Sequence, residues 1–233
     1  MIQVIQSHFV SSASNVRNAP PPKDSEIVCL GRSNVGKSTF INAILNKPLA
    51  KSSATPGKTQ LINFFASTWT NKNDTIPLTF IDLPGFGYAK VSKTIKAQWG
   101  EHLLEFLHTR TSIKLFLHLI DSRHRDTQMD TMMSEVLDSI IYNDQCIFRI
   151  YTKADKLTQN ELNALKSKVE TLHRADSKND IESTNSAINA SNNAKNIYHF
   201  IFSANAKNHR KMTSTAQMRE EILSHTLGLN NEH

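Results

Sequence analysis

The chain has 233 residues, 39% of them hydrophobic, and a formal net charge of +6, which is enough length and apolar content for an α/β core of its own. No apolar run reaches the length of a membrane span and the first residues lack the basic-then-apolar layout of a secretory signal, so a membrane partner is not expected and the cytoplasm is. Cys29 and Cys146 both fall in apolar runs, which points to reduced core thiols rather than a disulfide or metal pair, and the ten histidines show no ligand spacing.

In chain order, residues 1–24 read as an extended leader, since Ala19-Pro20-Pro21-Pro22 near their end exclude a helix. Glu26 to Leu30 is a short buried strand. It runs into Gly31-Arg32-Ser33-Asn34-Val35-Gly36-Lys37-Ser38, which satisfies G-x-x-x-x-G-K-[ST], a loop that wraps phosphates. Phe40, Ile41, Ile44 and Leu45 then repeat at helical spacing and predict a helix over 37–46. In that order, backbone N–H groups and the positive end of the helix converge on phosphate oxygens, Lys37 is placed to reach the β and γ phosphates, and Ser38 to ligate Mg²⁺. The plainer reading is a glycine turn before a helix. Glycine usage weighs against it: of seven glycines, Gly31, Gly36, Gly57, Gly85 and Gly87 fall in this loop or in two later segments suited to sensing phosphate.

Leu61–Phe65 and Pro77–Ile81 predict two further strands, the second ending at Asp82-Leu83-Pro84-Gly85. A carboxylate there can hold a Mg²⁺-bound water, and the Gly85 N–H can meet a γ-phosphate and register its loss. A turn explains Pro84 and Gly85 but not Asp82. A helix over 94–108, a strand over 115–120 and a helix over 127–142 lead to the strand 146–151 and then to Thr152-Lys153-Ala154-Asp155. The Asp155 carboxylate, an acceptor only, suits guanine N1–H and N2–H₂, and adenine offers no such donor pair. The aliphatic stem of Lys153 can cover the base. Taken alone, T-K-A-D also fits a strand end followed by a helix cap.

A helix over 159–173 precedes the polar, flexible stretch expected at 176–196, and a strand over 197–202 ends at Phe202-Ser203-Ala204, whose backbone N–H groups can touch the guanine carbonyl. The last helix, 214–226, starts with a capping box of Ser214 and Gln217 and is followed by a tail at 229–233. The alternation implies an α/β fold in three layers with a largely parallel central sheet, one domain over 25–228, and ligand loops at the carboxyl ends of the strands.

Four stretches, GRSNVGKSTFINAILN (31–46), ATPGKTQLINFF (54–65), DLPGFGYAKV (82–91) and TKADKL (152–157), resemble the EngB family of bacterial ribosome-biogenesis GTPases, within the translation-factor-type P-loop GTPases. The resemblance spans residues 8–226, with weaker support from His8-Phe9-Val10 and from Asp121-Ser122-Arg123-His124. It implies a P-loop GTPase fold, GTP and GDP as ligands, and Mg²⁺ held by Ser38 and Thr59. Gly57 and Lys58 precede Thr59 in the first switch, and Lys37, Thr59 and Gly85 stand at the reacting phosphate. The implied partners are the large ribosomal subunit and ribosomal RNA. The position of Thr59 just before the strand 61–65 agrees, because a loop there can swing a hydroxyl toward the metal, and Thr55 is the weaker substitute. Two departures concern the surface: a long polar stretch at 176–196, and no proline shortly after Asp121-Ser122-Arg123-His124. Thr152 stands where GTPases in general usually carry Asn, which leaves a contact to guanine N7 open.

Signalling GTPases often place Gln after D-x-x-G. This chain has Phe86, which can neither orient water nor donate a hydrogen bond, so slow intrinsic turnover is expected. Asn34 is expected to help hold a K⁺ ion bridging phosphate oxygens, as in related GTPases with asparagine there; the alternative is that it only tolerates a strained loop backbone. Lys51 and Lys58, then Lys90, Lys93 and Lys96, then Lys207, His209, Arg210 and Lys211 form basic clusters that read equally as solvated faces or RNA contacts, and the resemblance favours RNA. A monomer is expected.

Overall fold

The computed structural model describes residues 1–51, 61–72, 74–86, 103–125, 127–142, 144–182, 196–205 and 211–228. Among them, strands β1 (Gln3–Ala13), β2 (Ser25–Gly31), β3 (Ile62–Asn71), β4 (Asp74–Asp82), β5 (Ile113–Asp121), β6 (Cys146–Thr152) and β7 (Ile197–Ile201) form one sheet in the order β1-β3-β4-β2-β5-β6-β7. The pairs β2–β4, β2–β5, β5–β6 and β6–β7 are parallel, whereas β1–β3 and β3–β4 are antiparallel. The three-layer fold with a largely parallel sheet is therefore as expected.

Strand β5 shows why the centre of the sheet is covered on both sides, for its residues are almost all buried and alternate between two cores. Leu115, Leu117 and Leu119 face a core with Phe40, Ile41 and Ile44 of helix α1 (Lys37–Leu45) and Met218, Ile222 and Leu223 of the C-terminal helix, Thr215–Thr226. On the other side, Phe116 packs with Leu103, Phe106 and Leu107 of the helical residues 103–109 (α2) and with Leu137 and Ile140 of α3 (Gln128–Ile140). Helix α4 (Gln159–Glu182) adds Leu162, Leu165 and Val169 against Ile120, Tyr151 and Ile201. The C-terminal helix, α5, starts at the expected capping box, where Ser214 Oγ accepts from the Gln217 N–H and the Gln217 side chain accepts from the Ser214 N–H. Cys29 and Cys146 are free and buried, and burial first, with Asp144 second, pushes the Cys146 thiol up to about 11. His118 is fully buried, which lowers it to about 3, so it packs as a neutral ring.

Four elements differ in extent. Within the extended leader, Gln3–Ala13 is hydrogen-bonded to β3 as the edge strand β1. Strands β3 and β4 meet in a hairpin whose Lys72 has a φ of 58°, so each is longer than its apolar run. Helix α4 continues to Glu182, into the polar stretch. Residues 94–102 of the expected second helix, 183–195 and the tail 229–233 lie outside the described residues. At the end of β2 remote from the loops, Glu26 is buried against Arg110, whose Nη2 donates to Glu26 Oε1 at 2.6 Å and to Pro20 O at 2.9 Å. The Arg110 guanidinium also lies over Phe64 and Phe106. This pair anchors the proline segment to the sheet.

Candidate functional site

Because β2, β4, β5, β6 and β7 end on the same edge of the sheet, Gly31, Asp82, Asp121, Thr152 and the Phe202–Ala204 turn lie together at its carboxyl side. The loop after β2 is closely packed. A Cβ on Gly31 would stand 2.7 Å from Leu119 O and 2.9 Å from Val35 Cγ1, so only glycine fits there. Asn34 has a φ of 63° and Gly36 a φ of 102°, and this pair of left-handed residues turns the chain into α1. The loop also consumes some of its own donors: Ser33 N–H donates to Phe86 O at 3.1 Å and Val35 N–H to Arg32 O at 3.2 Å. The N–H groups of the first turn of α1 have no intrahelical acceptor, and Gly36 offers them no side-chain cap.

A cavity of about 300 Å³ opens above this turn, lined by Arg32, Ser33, Asn34, Gly36, Lys37, Ser38, Thr39, Lys51, Leu61, Asn63, Asp82–Gly85 and Lys153. Lys37 Nζ is paired with Asp82, and both side chains are largely buried. Ser38 Oγ donates to Lys51 O at 3.4 Å. The Ser38 hydroxyl and the Asp82 carboxylate are hard oxygen donors on one wall, a set that suits Mg²⁺ held partly through waters and phosphate. Gly85 packs onto the loop so tightly that an added Cβ would stand 3.0 Å from Ser33 Oγ. Phe86 does not face the cavity. It bridges to Arg32 and is buried with its ring near His118.

A second cavity of about 210 Å³ adjoins the first through Gly36, Thr39 and Lys153, and adds Thr152, Asp155, Lys156, Phe202, Ser203, Ala204 and Asn205. Thr152 Oγ1 lies 2.6 Å from Val35 O and 3.1 Å from Ile120 O, so this threonine braces the phosphate loop against β5. Lys153 has a φ of 57°, and its Nζ donates to Asn34 O at 2.5 Å and to Asp121 Oδ2 at 2.9 Å. Asp155 accepts from Ser203 Oγ at 2.8 Å and pairs with Lys156 at 3.5 Å. Burial opposes its charge, but the Ser203 bond, its own backbone N–H and Lys156 hold the carboxyl below its ordinary value.

The structure brings Arg32 to Ser38, Asp82 to Gly85, Thr152 to Asp155 and Phe202 to Ala204 into two contiguous cavities, with Gly31, Val35 and Ala154 buried beneath them. Gly57, Lys58 and Thr59 lie outside the described residues, as do Thr55, Lys90, Lys93, Lys96, Lys207, His209 and Arg210. Sequence reasoning missed Thr39, Lys51, Asn63 and Asn205 as lining residues, and above all Asp121. Asp121 caps the turn after β5 and binds Arg123 and Lys153; burial would raise its carboxyl, but these bonds hold it well below the carboxylate range. Its place at a strand end in Asp121-Ser122-Arg123-His124 was the available signal.

A family model described as 50S ribosome-binding GTPase matches residues 26–153. The chain is 60% identical to the probable GTP-binding protein EngB of Helicobacter hepaticus over 231 residues, covering 99% of each chain. It is 53% identical to the probable GTP-binding protein EngB of Wolinella succinogenes over 72% of this chain and 84% of that one. Among solved structures, a variant of Aquifex aeolicus Era bound to GDP·AlF₄⁻ superposes with a TM-score of 0.56 at 18% identity, covering 86% of this chain. Era in complex with MgGDPNP and a segment of 16S ribosomal RNA superposes with a TM-score of 0.57, also at 18% identity and over 86% of this chain. This chain spans 56% of either Era chain, and the likeness is one of fold. No helix among the described residues is long and apolar enough to cross a membrane.

Proposed function

Since the chain belongs to the EngB family of P-loop GTPases, we propose that it is a slow cytoplasmic GTPase acting as a nucleotide switch in assembly of the large ribosomal subunit. The observation that carries this reading is the pair of adjoining cavities, one suited to phosphates and one to a base, in a chain matching EngB along nearly its whole length. In the proposed complex the first turn of α1 and Lys37 hold the β and γ phosphates, with Lys37 exchanging Asp82 for phosphate. Ser38 and Thr59 ligate Mg²⁺, whose charge offsets that of the phosphates, and Asp82 holds one of its waters. Asp155 takes the guanine N1–H and N2–H₂ donors, and the Phe202–Ala204 turn meets the carbonyl.

Slow turnover follows from Phe86. Its burial leaves the D-x-x-G segment without a side chain to align the attacking water. The left-handed Asn34 favours the loop-geometry role for this residue, and K⁺ stimulation remains a separate proposal, to be checked by comparing turnover in K⁺ and Na⁺. The ribosomal partner is supported by the description of the matching family. Co-sedimentation with isolated large subunits, without nucleotide, with GDP and with a non-hydrolysable GTP analogue, tests the whole reading. Binding favoured by the analogue, with turnover raised about tenfold or more by the subunits, is expected. Analogue-dependent binding with unchanged turnover would instead identify a nucleotide-gated binding module, and no binding in any state would refute the ribosomal role.

A further inference from the structure

Ser33 Oγ is the side-chain polar atom of the loop 31–38 that is buried with no hydrogen-bond partner among the described residues. Its neighbours are committed: Arg32 Nε pairs with Asp130 at 3.0 Å, Lys37 with Asp82, and Ser38 Oγ reaches Lys51 O. The Ser33 backbone is committed as well, because its N–H donates to Phe86 O at 3.1 Å. At this position of the loop, therefore, the side chain is what remains to meet a ligand. Its location is specific too. The hydroxyl lies against Gly85, where an added Cβ would stand 3.0 Å away, and Ser33 lines the same cavity as Lys37, Ser38 and Asp82. A buried hydroxyl without a partner is costly, and a ligand oxygen in the cavity that Ser33 lines would supply the missing acceptor.

We propose that Ser33 reads the terminal phosphate: with GTP bound, its hydroxyl donates to a γ-phosphate oxygen beside Gly85, and with GDP bound that acceptor is missing. Ser33 is then a specificity-determining residue for triphosphate over diphosphate, acting from the phosphate loop on the side of the site where Phe86 offers nothing. The inference rests on the nucleotide site proposed above.

The test uses the full chain and its Ser33→Ala variant, titrated in Mg²⁺ with GDP and with an imido-linked GTP analogue. The expected result is an analogue affinity about tenfold weaker, or about 1.4 kcal/mol, with GDP affinity held within about twofold. The nucleotide-free melting temperature should be unchanged or higher, because Ala removes an unsatisfied buried group. Ser33→Gly should reproduce the selective loss. Equal losses for both nucleotides, no loss for either, or a lower nucleotide-free melting temperature for Ser33→Ala would each overturn the proposal. If the parent chain bound neither nucleotide, the site itself would be refuted; tight GDP binding by the parent keeps the two failures apart.

Discussion

The two ends of the cleft are shaped by different parts of the chain. At the phosphate end the walls are main chain: Gly31 packed on Leu119, left-handed Asn34 and Gly36, and Gly85 pressed on Ser33. At the base end side chains make the contacts: Thr152 to Val35 O, Lys153 to Asn34 O and Asp121, and Ser203 to Asp155. Main-chain walls recognise phosphate in any nucleotide, while side chains choose the base. Substitutions at the first end should therefore act alike whatever the base, and those at the second should change which base is preferred.

The largest break is expected from Lys37→Ala. Affinity for GDP and for the GTP analogue should fall together by at least about a hundredfold, two steps of about 1.4 kcal/mol. The fold should weaken as well, by about 3–5 kcal/mol without nucleotide, because the buried Asp82 carboxylate loses its cation. Nucleotide titration and urea unfolding measure the two effects separately, and tight GDP retention would show that the phosphate end is misassigned. Asp155→Asn tests the other end. The Asn carbonyl can still accept from Ser203, so the turn should hold, while the ratio of GTP to XTP affinity drops by roughly tenfold or more. An unchanged ratio would move base recognition away from Asp155.

This contrast also explains what could be read without a structure. The phosphate end was legible because backbone geometry leaves a mark in residue type: glycines at Gly31, Gly36 and Gly85, with strand and helix patterns on either side. At the base end Asp155 was legible, but its support was not. Nothing local to Thr152 shows that its hydroxyl meets a carbonyl 117 residues earlier, and the Glu26–Arg110 pair spans 84 residues. A strictly local extended reading suited residues 3–13 because bulges between Val4 and Gln6 and between Phe9 and Ser11 break the two-residue alternation that announces a strand. Among the core strands the β2–β5 ladder also shifts register, between Glu26 and Ile27, but strands buried on both faces are read from continuous apolar runs rather than from alternation, and those runs located them.

The smallest effect is a difference in sign between two aspartates that tie the loops down. Asp121, serving the base end, has a carboxyl held well below the carboxylate range: burial would raise it, but bonds from Arg123 and Lys153 dominate. Asp130, which holds Arg32 at the phosphate end, is raised, because burial outweighs Thr127 and Arg32. A depressed folded value adds stability that is present above the unfolded value of about 3.9 and is lost as pH falls through the folded value. A raised one works oppositely, since the folded chain takes up the proton first and stability from that group grows as pH falls toward about 3.9. Asn does not titrate, so the stability of the parent minus that of Asp121→Asn should stay flat from pH 7 down to about 4 and then shrink. The parent minus Asp130→Asn should rise over the acidic part of that span and level off below it. Urea midpoints at stepped pH read both curves. If the two slopes shared a sign, burial would not govern Asp130 while ion pairing governs Asp121, and the two ends of the cleft would be anchored by the same electrostatics.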